Sequence, residues 1–223
     1  MTFSDKIKEL GKPFKPSDLK WRIGSKSKDK TKANMLIYVD ARTVQDRLDE
    51  VLGCENWMFE TRSMKSNATV KKADNSKEVV EVYTIVGRLG IYDEEKDRWI
   101  WKEDGAENTE VEASKGGISD AFKRAAVQFG IGRYLYDASE FNTWVSIKND
   151  FTAYEDNKAE LDRIAIRLNL RYYHNKGMME QYLLSLNENQ LNAVQKILAL
   201  DYGTTYDEKL NQIRIGKQEL GKL

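Results

Sequence analysis

The sequence predicts an α+β protein, an antiparallel β-meander packed on one long helix, with a small helical C-terminal unit after it. Three observations carry that reading. A β-branched and aromatic run, EVVEVYTIVGRLGIY (78–92), lies between the alternating WMFETRSM (57–64) and RWIWKE (98–103), with the turn-rich KADNSK (72–77) and DEEKD (93–97) as joints. In ISDAFKRAAVQFG (118–130), Ile118, Ala121, Phe122, Ala125, Ala126 and Phe129 recur on a helical period, which predicts one continuous core stripe. Beyond residue 150 the pattern breaks into short helical stretches at 154–168, 176–185, 188–200 and 206–214.

The remaining elements follow in order. Residues 3–12 predict a short helix, ended by Pro13 and Pro16. LKWRI (19–23) predicts a strand and GSKSKDKTKAN (24–34) a mobile basic loop. A helix follows from Tyr38 to Leu52, with Asp40 as N-cap and Gly53 as its stop. Its apolar face is Ala41, Val44, Leu48, Val51 and Leu52. Near the end, LSLNENQLNAVQKILAL predicts an amphipathic helix capped by Asn187 or Asn189. It serves either as packing on the core or as a docking module. The expected organisation is a core with a basic arm over residues 1–150 and the helical unit over 151–223.

Composition narrows the chemistry. The 223 residues carry 36 Lys+Arg against 36 Asp+Glu, with one His and one Cys. A single cysteine forms no internal disulfide and suits a reducing, cytoplasmic compartment. His174 and Cys54 supply too few soft ligands for a Cys/His metal site. There is no apolar run of about 18 residues and no charged-then-apolar leader pattern, so neither a membrane span nor a signal peptide is expected. Neutrality hides a division: residues 1–32 hold ten Lys/Arg against four acids, and residues 93–112 hold nine acids against three Lys/Arg. Either both segments are simply solvated, or the chain has two oppositely charged surfaces suited to a polyanion or to head-to-tail subunit contact.

Gly216, Gly221 and Lys222 have P-loop spacing, but Leu223 stands where Ser or Thr is needed, so ATP is not an expected cofactor. The acids Asp93, Glu94, Glu95, Asp97, Glu103, Asp104, Glu107, Glu110 and Glu112 offer a magnesium-dependent nuclease as a rival, although 93–97 reads as a solvated turn. Arg42 sits in the first turn of its helix, where the macrodipole disfavours a cation, so it either faces an anion or pairs with Asp46. On the later helix, taken as 113–133, Lys115, Lys123 and Arg124 lie off the apolar stripe, and Arg133 follows. Together they make a cationic ridge suited to a phosphate backbone without sequence preference. Trp99 and Trp101 share one strand face and are read as core, with base stacking or a subunit contact as the other options.

YVDARTVQDRLDEVLGCENW (38–57), the meander, and EASKGGISDAFKRAAVQFGIGRYLYD (112–137) together resemble the single-strand annealing proteins typified by the eukaryotic mediator Rad-fifty-two, especially the bacteriophage members. The likeness covers residues 17–140, and DAFKRAAVQFGIGRYLY is its specific part. It implies a β-β-β-α core assembled into a homo-oligomeric ring. Single-stranded DNA would lie in a cationic groove, its bases exposed for pairing, in recombination or repair. The family's groove residues fall here on Arg42, Lys115, Lys123 and Arg124; a further basic position is Val127 in this chain. The expected function is ATP-independent, non-enzymatic annealing, with a non-annealing DNA-coating protein or a scaffold as alternatives. A host single-strand binding protein or a partner exonuclease is the expected additional partner.

Overall fold

The computed structural model describes residues 1–71, 75–107, 113–203 and 205–219. In chain order these form α1 (Phe3–Leu10), a 3-10 turn (Pro16–Asp18), β1 (Leu19–Lys26), β2 (Lys32–Val39), α2 (Ala41–Leu52), β3 (Trp57–Lys71), β4 (Lys77–Asp93), β5 (Arg98–Glu107) and α3 (Ala113–Gln128). A 3-10 stretch (Arg133–Glu140) follows, then β6 (Trp144–Ser146), α4 (Ala153–Asp156), α5 (Lys158–Asn175), α6 (Met179–Ser185), α7 (Glu188–Tyr202) and α8 (Thr205–Glu219). The expected α+β class and the three-stranded meander are present. Contacts divide the chain into two compact units, one of residues 1–12 and 38–133, the other of 13–37 and 134–223.

The first unit is built on an antiparallel sheet of order β3-β4-β5 with α3 laid across one face. Register runs from Trp57↔Ile91 to Lys71↔Lys77 between β3 and β4, and from Asp93↔Arg98 to Thr84↔Glu107 between β4 and β5. The covered face presents Leu89 and Ile91, both fully buried, to Phe122, Ala121, Ala125, Ala126 and Phe129. Phe122 meets the Phe59 ring edge-on at 4.9 Å and the Trp57 ring at 6.1 Å. Close approach depends on Gly87: a Cβ there would stand 2.8 Å from the Ala121 backbone and from the Phe59 ring. Ile118 departs from the expected stripe and is 43% exposed. A stripe fixes which way a side chain points, not how far the neighbouring sheet reaches along the helix. Helix α2 begins as its cap predicts, with Asp40 accepting from the Thr43 N–H at 2.8 Å, and ends at Gly53 with φ +84°. Beyond the Thr84↔Glu107 pair, β3 and β4 continue, among the described residues, as a two-stranded ribbon on which Val79 and Tyr83 are exposed.

Trp99 and Trp101 are not core. They lie half-buried on the sheet face opposite α3, their rings 5.9 Å apart and tilted by 33°, with Tyr92 beside Trp99 and the Arg88 guanidinium 4.1 Å above the Trp101 ring. Gly90 makes the bed for Trp101, since a Cβ there would meet the indole at 2.7 Å. Alternation placed both tryptophans on one face, but the apolar stripe of α3 covers the other.

The second unit holds a sheet of order β1-β2-β6 and helices α4 to α8. Residues 24–34 are not a loop: β1 runs to Lys26, β2 starts at Lys32, and only 27–31 turn. Of the charged residues that suggested a loop, Lys26 and Lys32 are exposed on the strands, and Lys28, Asp29 and Lys30 make the turn between them. The helix expected from Tyr38 starts at Ala41, because Ile37, Tyr38 and Val39 finish β2. Among the C-terminal helices, the first expected stretch is a short α4 and an 18-residue α5. Asn187 is the cap of α7, in a capping box with Gln190. A separate apolar cluster of Leu183, Leu191, Leu198 and Leu210 ties α6, α7 and α8 together.

Candidate nucleic-acid interface

The predicted site residues reach different circumstances. Arg42 is exposed in the first turn of α2 and, among the described residues, has no ion-pair partner; the pair with Asp46 does not form. The Asp40 carboxylate at the cap lies two residues before it and offsets the unfavourable helix dipole. Lys123 extends over the Tyr38 ring with Nζ 5.6 Å from the centroid, and reaches Asp120 at 3.8 Å. Helices α2 and α3 pack against each other, so Tyr38, four residues before Arg42, links the two cation-bearing segments.

Arg124 is held differently. Its Nε and Nη2 donate to Asp104 Oδ1 on β5 at 3.3 and 3.1 Å, while Gln128 Nε2 donates to Asp104 Oδ2 at 3.1 Å. Burial works to raise the Asp104 carboxyl. The hydrogen bonds from Gln128, Arg124 and the Gly105 N–H, and the Arg124 charge, outweigh it and hold the carboxyl below its usual range. Arg133 donates to the Val127 carbonyl at 3.0 and 2.7 Å and to the Gln128 carbonyl at 2.8 Å. It thereby satisfies carbonyls at the end of α3, where the dipole favours a cation. Lys102 joins the same end, donating to Gln128 O at 3.1 Å and lying 5.4 Å from the Phe129 centroid. Lys115 lies in the first turn of α3, and its side chain falls outside the described residues.

Sequence reasoning missed Tyr38, Gln128 and Lys102, and it placed Asp104 among candidate metal ligands rather than beside Arg124. Tyr38 carried a signal, an aromatic just before an N-cap. The Asp104–Arg124 pair had none, because it joins residues 20 positions apart on a strand and a helix.

The acids are distributed among structural duties. Glu94 pairs with Lys6 of α1 at 2.9 Å, so part of the basic arm meets the acidic turn within one chain. Glu103 pairs with Arg62 at 2.9 Å and Asp104 with Arg124. Asp93 is fully buried and shapes the turn by accepting from the Glu95 N–H. Among the described residues, no group of three or more His, Cys, Asp or Glu is placed to hold a metal ion. The side chain of Glu107, residues Glu110 and Glu112, and Gly221 and Lys222 of the P-loop-like spacing lie outside the described residues, as do Lys72, Ala73 and Asp74 of KADNSK. No described helix is long and apolar enough to cross a membrane.

A three-stranded meander carrying one helix on its inner face, with cations on that helix and on the start of α2, defines a β-β-β-α protein with a basic helix pair. The chain belongs to the Rad52/22 family of double-strand break repair proteins, whose family model matches residues 3–154. Two relatives are the single-stranded DNA-binding protein DdrA of Deinococcus radiodurans and DdrA of Deinococcus deserti. The first is 39% identical over 139 residues, covering 61% of this chain and 57% of that protein. The second is 37% identical over 148 residues, covering 66% of this chain and 63% of that protein. The match thus spans less than two thirds of either relative's length. Neither of these two comes from a bacteriophage.

Proposed function

We propose that this protein binds single-stranded DNA and anneals complementary strands without ATP, acting in recombination or repair as a homo-oligomeric ring. The observation that carries the reading is Lys123 over Tyr38 beside the Arg42-bearing start of α2, in a chain of the Rad52/22 family. The relatives' designation as single-stranded DNA-binding proteins adds to it. Arg42 and Lys123 bind phosphates first, Arg124 joins once released from Asp104, Lys115 extends the line, and Arg133 holds the end of α3 in place. The backbone is neutralised and extended while base edges stay free to pair, and no covalent bond is made or broken. In this proposal residues 1–150 bind DNA and oligomerise, and 151–223 dock a single-strand binding protein or an exonuclease, in the cytoplasm.

The test mixes complementary labelled oligonucleotides without nucleotide or magnesium and follows pairing. Acceleration that Lys123→Glu abolishes is the expected result; tight binding with slowed pairing overturns annealing. That second outcome is the reading of a coating protein.

A further inference from the structure

The sheet of order β3-β4-β5 has an outer face that α3 does not cover. Leu89 and Ile91 point to α3, so Arg88, Gly90 and Tyr92 point away from it. Register sets Trp99 beside Tyr92, and both Trp101 and Met58 beside Gly90, all on this outer face. The rings form one row, with centroids 5.3 Å apart from Tyr92 to Trp99 and 5.9 Å apart from Trp99 to Trp101. Met58, 38% exposed, continues the apolar strip onto β3. Tyr92 donates its hydroxyl to Asp97, which orients the ring. Among the described residues neither indole N–H has an acceptor, and neither is sealed from solvent.

Charge frames the strip unevenly. On one side it is closed by the cross-strand pairs Arg88–Glu60 at 3.5 Å and Arg62–Glu103 at 2.9 Å, which leave no net charge. At the Tyr92 end lies the turn of residues 93–97, with four acids against Lys96. A recess there is lined by Met1, Phe3, Lys6, Tyr92, Glu94 and Glu95. Lys6 answers Glu94 at 2.9 Å, while Glu95 is exposed and has no ion-pair partner among the described residues.

A row of rings that ends in acid repels a polyanion, so a phosphate backbone is a poor occupant. A fitting ligand is apolar, brings bare carbonyls to the indole N–H groups and carries a cation for the turn. A polyproline II segment has that chemistry, because its carbonyls make no internal hydrogen bonds and its fixed shape loses little entropy on docking. It rises about 3.1 Å per residue, so each step between rings is close to two of its residues. We propose that the outer face of this sheet docks a proline-rich segment of another protein, with its pyrrolidine rings on Trp99 and Trp101 and a flanking Lys or Arg at Glu95. The aliphatic stem of that cation lies along Phe3 and Tyr92. The surface shares no residue with the cations of α2 and α3, and it stands whether or not they bind DNA.

The experiment titrates the full chain into a labelled decaproline preceded by two arginines, read by fluorescence anisotropy. Saturable binding is expected, and a glycine-serine peptide of the same length and charge should bind about tenfold more weakly. Trp99→Leu and Trp101→Leu are each expected to weaken binding about tenfold, as the loss of an aromatic anchor does. Unchanged circular dichroism and unchanged affinity for an oligodeoxythymidine separate that loss from misfolding. Glu95→Gln alters only an exposed side chain. It is expected to weaken the arginine-bearing peptide about two- to fivefold and to leave plain decaproline unaffected. No saturation at about 1 mM peptide overturns the proposal, as does equal binding of the glycine-serine control or parental affinity in both tryptophan variants. A fall in light-scattering mass in those variants without peptide would also overturn it, by assigning the face to a second copy. So would a loss of oligodeoxythymidine binding with circular dichroism unchanged, which assigns the rings to bases.

Discussion

Two stretches of this chain are rich in lysine and arginine, and the fold treats their charges in opposite ways. On α3 and just beyond it, Arg124 is clasped by Asp104, Arg133 by the carbonyls of Val127 and Gln128, and Lys123 leans over Tyr38 toward Asp120. On the β1–β2 hairpin, Lys28, Lys30 and Lys32 stand exposed around a turn whose own carboxylate is engaged by Ser27 and Thr31. The lesson is that a cation's place on an exposed ridge says little about its readiness to meet phosphate. What decides is whether an internal acceptor already holds it, because a phosphate must then compete with a partner that is prealigned and partly desolvated.

Removing the ground on which the α3 charges stand is the harshest way to break this contrast. Phe122→Ala empties the contact with Phe59 and Trp57, and the expected cost is about 3–5 kcal/mol of unfolding free energy in urea. A midpoint within error of the parent would show that α3 is not anchored there. Next in size is Lys123→Glu, which is expected to weaken single-strand binding by about tenfold or more at low salt, by titration of a labelled oligonucleotide. Parental affinity would remove Lys123 from the interface.

Asp104→Asn sharpens the contrast by making Arg124 resemble a hairpin lysine. Affinity should rise a few-fold and the salt slope steepen by about 0.7. Acid should act in the same direction. Because the Asp104 carboxyl is held below its usual range, its pairing is intact above the ordinary carboxylate pKa and is lost as pH falls through the lower folded value. The parent's slope should therefore approach that of Asp104→Asn only in strong acid, and a slope already altered at pH 5 would refute the pairing. The smallest effect belongs to Arg133→Ala, expected to cost about 1 kcal/mol through frayed carbonyls at the end of α3. A larger loss in DNA affinity than in stability would make Arg133 a direct ligand instead.

The elements that the sequence made legible are those with local chemistry. Asp40 and Gly53 bracket α2, Asn187 and Gln190 cap α7, and Phe122 to Phe129 repeat on the period that buries them. The hairpin of β1 and β2 was hidden because Lys26, Lys28, Lys30 and Lys32 look like a loop until the buried partners Ala33 and Met35 are seen. The misplacement of Trp99 and Trp101 has a related origin, since alternation defines two faces without saying which one a helix will cover. Of the site, the cations themselves were visible, and their partners were not. Asp104 reaches Arg124, and Tyr38 reaches Lys123, only through tertiary packing.

The β3–β4 ribbon that outruns β5 has a consequence for how the molecule breathes. Two strands without a third strand or a covering helix are marginal in water, since half of their amides face no partner and few apolar contacts back them. Amide protons of residues 65–70 and 78–83 should therefore exchange with solvent through local opening. Those of β4 from Leu89 to Ile91, beneath α3, should wait for global unfolding. Slowed exchange confined to the ribbon would register any neighbour that comes to lie against it, while the deeply buried amides of the same strand serve as the internal clock.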